Sequence, residues 1–287
     1  MKKTILAILL LTPFITMGSV VQAKELQKDE KVTILSSTSN FKPLLADPKW
    51  PRFGLAYQNY SKGGYGRHIF APNFGAVLPM IRNSTEAETK YELSIHAGLF
   101  GIMDIGSTPT RLINADYFAG PAVAIQQGNF ESLVRIAHTS SHLGDEFMLS
   151  KQGKNIKRIN LSYETAEAII AYNREDGLRP YVGLGYIVHA EPNSYRTAEV
   201  TLGLDYRSPT LIMNGFAKPV FGLHSKTSEN YKWRPSLSVK GGLEFEDKIF
   251  IGKALQVLVE YYDGNSIHGQ FYKNREKYIG TSLNIHF

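Results

Sequence analysis

The stretch RIAHTSSHLGDEF, residues 135–147, holds two histidines, three hydroxyls and two carboxylates. Three chemistries fit these residue types. In the first, His138 and Ser140 stand two apart. On a β-strand that spacing puts both side chains on one face, about 6.5–7 Å apart at Cα. An imidazole so placed can serve as general base for the serine hydroxyl, which is a poor nucleophile without help. The base needs an orienting group in turn. Asn160, near the top of the next strand candidate but on its lumen-facing parity, and Asp145, in the following loop, are the candidates, with Glu146 beside them. In the second, His142, Asp145 and Glu146 form a metal set. Imidazole with carboxylates suits zinc or a similar divalent cation, whereas calcium prefers oxygen ligands alone. In the third, Gly144 turns the chain while Ser, His and Asp side chains cap loop backbone groups. Spacing alone leaves all three open.

Which of them applies depends on where the stretch sits. The chain opens MKKTILAILLLTPFITMGSVVQA. Lys2 and Lys3, the apolar run Ile5–Leu11 and the small-residue site Val21-Gln22-Ala23 read as a secretory signal peptide over 1–23, too short in its apolar core to span a bilayer. At the other end, KYIGTSLNIHF alternates Ile279, Thr281, Leu283, Ile285 and Phe287 with Tyr278, Gly280, Ser282, Asn284 and His286. Period-two alternation describes a strand with two unlike faces. The segment resembles the C-terminal signal through which bacterial outer-membrane barrels engage the barrel assembly machinery.

Between these ends, residues 24–52 read as a polar N-terminal periplasmic lead-in, and 53–287 as one barrel. Twelve strand candidates follow one another: 53–61, 72–82, 89–101, 115–127, 130–141, 157–172, 178–189, 197–207, 211–223, 235–246, 254–263 and 276–287. An even number of strands returns both termini to the periplasm, as single-chain bacterial barrels require. The fold class expected is all-β, a transmembrane antiparallel β-barrel in the bacterial outer membrane. Glu92, Glu131, Arg135, Glu199, Asp205, Lys240, Glu244 and Glu260 then line the lumen. Tyr57, Tyr60, Tyr91, Tyr117, Tyr172, Tyr206, Tyr261 and Tyr278 fall near strand ends, where aromatic girdles belong. Pro219 inside the 211–223 candidate marks a bulge, an edge or a misplaced strand.

Composition narrows the partners. The chain has no cysteine, which excludes disulfides and thiolate metal sites. Loss of Lys2 and Lys3 lowers the formal charge from +6 to +4. That mild excess suits anionic lipid surfaces and is no footprint for nucleic acid.

In a barrel whose first strand runs outward, the fifth candidate (130–141) ends at the cell surface. Its parity aims His138 and Ser140 away from the lumen, toward outer-leaflet lipid. His138-Thr139-Ser140 in that setting resembles the His-x-Ser of outer-membrane phospholipase A and of the lipid A deacylases. That resemblance implies hydrolysis of lipid acyl esters by a lipid-facing Ser–His pair; the phospholipase also uses an Asn and calcium. Ser141 departs from the pattern, since those families usually carry Asn there. A longer resemblance joins PLLADPKWPRF (43–53), HTSSHLGDEF (138–147) and DGNSIHGQF (263–271), which together are similar to an exported bacterial family known only as a domain of unknown function. It implies that the three segments work as one constellation; the third joins strands eleven and twelve on the same outer side as the first, which lets Asp263, Ser266, His268 and Gln270 approach His138–Glu146 across the rim. Two roles therefore stand side by side: a barrel for surface interaction or narrow solute passage, and a lipid acyl-ester hydrolase.

Overall fold

The computed structural model describes residues 32–36, 38–83, 89–245 and 254–286. The expected signal peptide and the start of the lead-in lie outside them. Twelve strands form the wall: β2 (Phe53–Lys62), β3 (His68–Asn83), β4 (Thr89–Asp104), β5 (Arg111–Gln127), β6 (Phe130–Leu143), β7 (Leu161–Tyr172), β8 (Leu178–Glu191), β9 (Ala198–Arg207), β10 (Ala217–Ser228), β11 (Ser236–Phe245), β12 (Ala254–Asn265) and β13 (Arg275–His286). Each pairs antiparallel with its chain neighbours, and β13 pairs with β2 to close the ring. Closure satisfies every edge, the condition for a sheet to cross lipid. A short strand β1 (Val32–Ile34) adds to the end of β3 outside this ring.

The alternation read from the sequence is the alternation of the wall. Along β6, Val134, Ile136, His138 and His142 are exposed, whereas Glu131, Leu133, Arg135, Ala137, Thr139 and Ser141 are buried. Ile279 and Leu283 of β13 face out, and Tyr278, Ser282 and Asn284 face in. Glu92, Glu131, Arg135, Asp205, Lys240, Glu244 and Glu260 are all buried in the lumen. Two differences stand out. Tyr60 and Tyr278 do not join a girdle; they turn inward and pack on Tyr65 and Tyr262. The strand expected over 211–223 begins at Ala217, because Met213 and Asn214 take left-handed backbone and turn the chain first. Pro219 lies near the start of that strand, where a missing N–H is tolerated.

Residues 39–52 run inside the lumen, and the inward carboxylates explain why. Glu92 accepts a hydrogen bond from the Asn40 N–H at 2.6 Å. Glu131 accepts one from Lys42 at 3.2 Å, and Asp205 one from Leu45 at 3.1 Å. Arg179 bonds Glu131, Asp205 and the Lys42 carbonyl. Arg52 ties the segment's own turn by donating to the carbonyls of Leu44, Leu45 and Asp47. Phe41, Leu44 and Trp50 bury against Ala122, Ala124, Leu133 and Ile169 of the wall. Buried polar groups thus find partners, and apolar groups leave water.

The end carrying the short turns 128–129 and 173–177 is the periplasmic end, since long loops of such barrels lie outside. At the outer end, loop 266–274 folds over the mouth. Its Phe271 joins Tyr65, Ile102, Ile113, Leu143 and Phe147 in an apolar cap.

Candidate functional site

The outward face at the top of β6 and β7 carries the candidate residues His138 and Ser140. Register sets His138 opposite Glu164 and Ser140 opposite Ser162. Nδ1 of His138 lies 2.8 Å from Oε1 of Glu164. An ionised carboxylate only accepts, so Nδ1 carries the proton and the Nε2 lone pair is left for another partner. Oε2 of the same carboxylate lies 2.6 Å from Nδ1 of His189 on β8. Glu164 therefore bridges two imidazoles, both largely exposed on the outer surface of the wall, at 50% and 65% of their side-chain area. Ser140 shares the face of His138 and makes no hydrogen bond through its hydroxyl among the described residues. Tyr117 of β5 stands directly across from it.

The group that meets His138 is thus Glu164, not Asn160 or Asp145. Asn160 is exposed and precedes β7, which begins at Leu161. Asp145 and Glu146 are exposed in the first turn of the short helix α1 (Asp145–Met148), and His142 is exposed at the end of β6. Among the described residues no three His, Asp or Glu side chains converge to hold a metal ion. What α1 supplies is architecture. Gly144 passes so close to the Leu112 carbonyl that an added Cβ would lie 2.0 Å from the oxygen, and Phe147 is fully buried in the outer cap.

Glu164 escaped the sequence reading because its pairing with His138 crosses the long 144–160 loop, and His189 because it meets Glu164 only through a register shift between β7 and β8 at Glu164/Thr165. One signal was present. Glu164 follows Ser162 on one parity, while Leu161 and Tyr163 take the other, and a carboxylate on a lipid-facing parity is costly enough to call for a reason.

Ser141, the residue after the candidate nucleophile, points the opposite way. Its hydroxyl donates to Asp116 Oδ1 at 2.5 Å, and Asp116 also accepts from Asn114 at 2.8 Å and pairs with Lys49 at 2.6 Å. The Gly269 N–H approaches the same carboxylate at 3.3 Å, and Gln270 donates to the Ser141 and Ile159 carbonyls at 2.6 and 2.8 Å. The three segments singled out in the sequence therefore meet at Asp116, buried behind the wall. Gly269 has to be glycine here, since a Cβ would fall 2.6 Å from Ser141 Cβ. Beside this hub, burial and the nearby Lys49 ammonium push the His268 imidazole down to about 3, against the pull of Asp116, so it is neutral at neutral pH.

A closed twelve-stranded antiparallel barrel with apolar residues on its outer surface defines the class: a bacterial outer-membrane β-barrel protein. Solved structures of that class share the fold. The outer membrane phospholipase A of Escherichia coli aligns with a TM-score of 0.58 at 11% identity, over 87% of this chain and 95% of that one. The Salmonella typhi outer membrane phospholipase, solved as a dimer with bound calcium, aligns with a TM-score of 0.57 at 10% identity, over 86% and 94%. LpxR from Salmonella typhimurium is more distant, with a TM-score of 0.41 at 9% identity over 82% and 99%. No curated protein sequence matches. The particular family is given by residues 17–287, which match the model described as "Protein of unknown function (DUF1207)"; the chain belongs to that family.

Proposed function

We propose that the protein is a lipid acyl-ester hydrolase of the outer membrane, with Ser140 as nucleophile, His138 as general base and Glu164 as the group that orients the base. The observation that carries the reading is the 2.8 Å contact between His138 Nδ1 and Glu164 on the outward surface, with Ser140 two residues along β6 on the same face. The likeness to outer membrane phospholipase A is one of fold, so the reading rests on these side chains.

The chemistry balances without further groups. Ser140 Oγ attacks the ester carbonyl and gives its proton to His138 Nε2. The tetrahedral intermediate collapses, the C–O bond of the ester breaks, and His138 returns the proton to the leaving lysolipid alkoxide. Water then attacks the acyl-serine by the same route, releasing a fatty acid and restoring Ser140. Glu164 stays ionised throughout, fixing the tautomer and stabilising the imidazolium as it forms. Solute passage draws little support, because residues 39–52 occupy the lumen.

The test is fatty-acid release from phospholipid and lipid A in mixed micelles by the refolded protein. Ser140→Ala is expected to lose release by at least about a thousandfold, the scale of removing a nucleophile. Equal release by wild type and variant would end the proposal.

A further inference from the structure

The loop between β6 and β7 joins the two strands that carry Ser140, His138 and Glu164, and it is strongly one-sided in charge. Lys151, Lys154, Lys157 and Arg158 are exposed, and no acidic residue lies between Leu149 and Asn160. Asp145 and Glu146 come earlier, in α1. None of the three lysines forms an ion pair among the described residues. Arg158 is the one of these four cations whose side chain contacts another side chain among the described residues. Its Nη2 lies 3.5 Å from Nδ1 of His142, a contact in which only the guanidinium can donate. His142 follows Ser140 by two residues on the same outward face, and its ring stands edge-on to Tyr117, with centroids 5.7 Å apart. Tyr117 is the residue paired with Ser140. A continuous outward surface thus runs from the candidate nucleophile through Tyr117 and His142 to a guanidinium.

Distance gives that surface a meaning. Two residues along a strand advance about 7 Å along its axis, or about 5 Å toward the outside at the tilt of barrel strands. That is roughly the span of the glycerol or sugar unit separating an acyl ester from the phosphate of the same lipid. A lipid presenting its ester carbonyl at Ser140 therefore brings its phosphate level with His142 and Arg158. A guanidinium matches a phosphate with paired donors, and Lys157 adds a second charge beside it.

We infer that Arg158 and Lys157 form the headgroup subsite of the Ser140 centre and that it takes a phosphate carried by the lipid. The shared chemistry is the phosphate. Its source is either the diester of a glycerophospholipid or the monoesters of lipid A. The subsite rests on the hydrolase reading for its role in turnover, but its affinity is measurable without turnover.

The experiment uses detergent-solubilised full-length protein carrying Ser140→Ala, titrated with phosphatidylglycerol, lipid A or diacylglycerol and read by native mass spectrometry. Phosphate-bearing lipid is expected to be retained at least about tenfold better than diacylglycerol, equivalent to ~1.4 kcal/mol. Arg158→Ala with Lys157→Ala should abolish that preference, and Arg158→Lys should keep part of it. Whichever phosphate-bearing lipid loses more affinity in the double variant identifies the source. Equal retention of all three lipids, or a preference that survives the double variant, would overturn the inference. Fatty-acid release by the same variants on the Ser140 background forms a second arm. Absence of release from wild type would sink the hydrolase reading while leaving the binding result to decide the subsite.

Discussion

Glu164 is the residue on which the candidate site turns, because one carboxylate serves two imidazoles. A glutamine there keeps one oxygen and gains a donor. Only one of His138 and His189 can then keep its Nδ1 proton facing the side chain. The other must present a bare Nδ1, which moves its proton to Nε2. If that histidine is His138, it can no longer take the proton from Ser140. Glu164→Gln is therefore expected to lower fatty-acid release by about two to four orders of magnitude. His189→Ala, which leaves His138 its partner, should cost no more than about tenfold. Unchanged gel mobility of the unheated barrel would show that both variants remain folded. His138 and Ser140 were legible as a pair because strand parity is written in the local sequence. Glu164 was not, because it meets His138 only through the register of two strands separated by residues 144–160.

At the scale of elements, the segment around PLLADPKWPRF acts as an internal plug. The even count of strands and the inward charges were readable from alternation, but the partners of those charges were not. Glu92, Glu131 and Asp205 look like ordinary lumen lining until the backbone N–H groups of Asn40, Lys42 and Leu45 are seen to occupy them. The ninth strand candidate, 211–223, starts only at Ala217 for a local reason, the left-handed turn at Met213 and Asn214. The plug makes a functional forecast. In planar bilayers the intact protein is expected to show no steady conductance, and a variant lacking residues 24–52 is expected to open a small one. A steady conductance from the intact protein would favour solute passage over catalysis on the outer wall.

For the whole molecule, the arrangement is a barrel whose interior holds residues 39–52 and whose exterior carries the candidate site. Plug, candidate strand and outer loop converge on Asp116, so Ser141 is held from inside while Ser140 and His138 lie on the outer face of the wall. That division leaves Ser140 accessible to direct labelling from outside the barrel. A long-chain alkyl fluorophosphonate presented in micelles forms a covalent adduct only with an activated serine. One phosphonylated site is expected, on the peptide containing Ser140, lost in His138→Ala and strongly reduced in Glu164→Gln. Folded protein that takes up no label at Ser140, or takes it up equally without His138, would contradict the hydrolase reading.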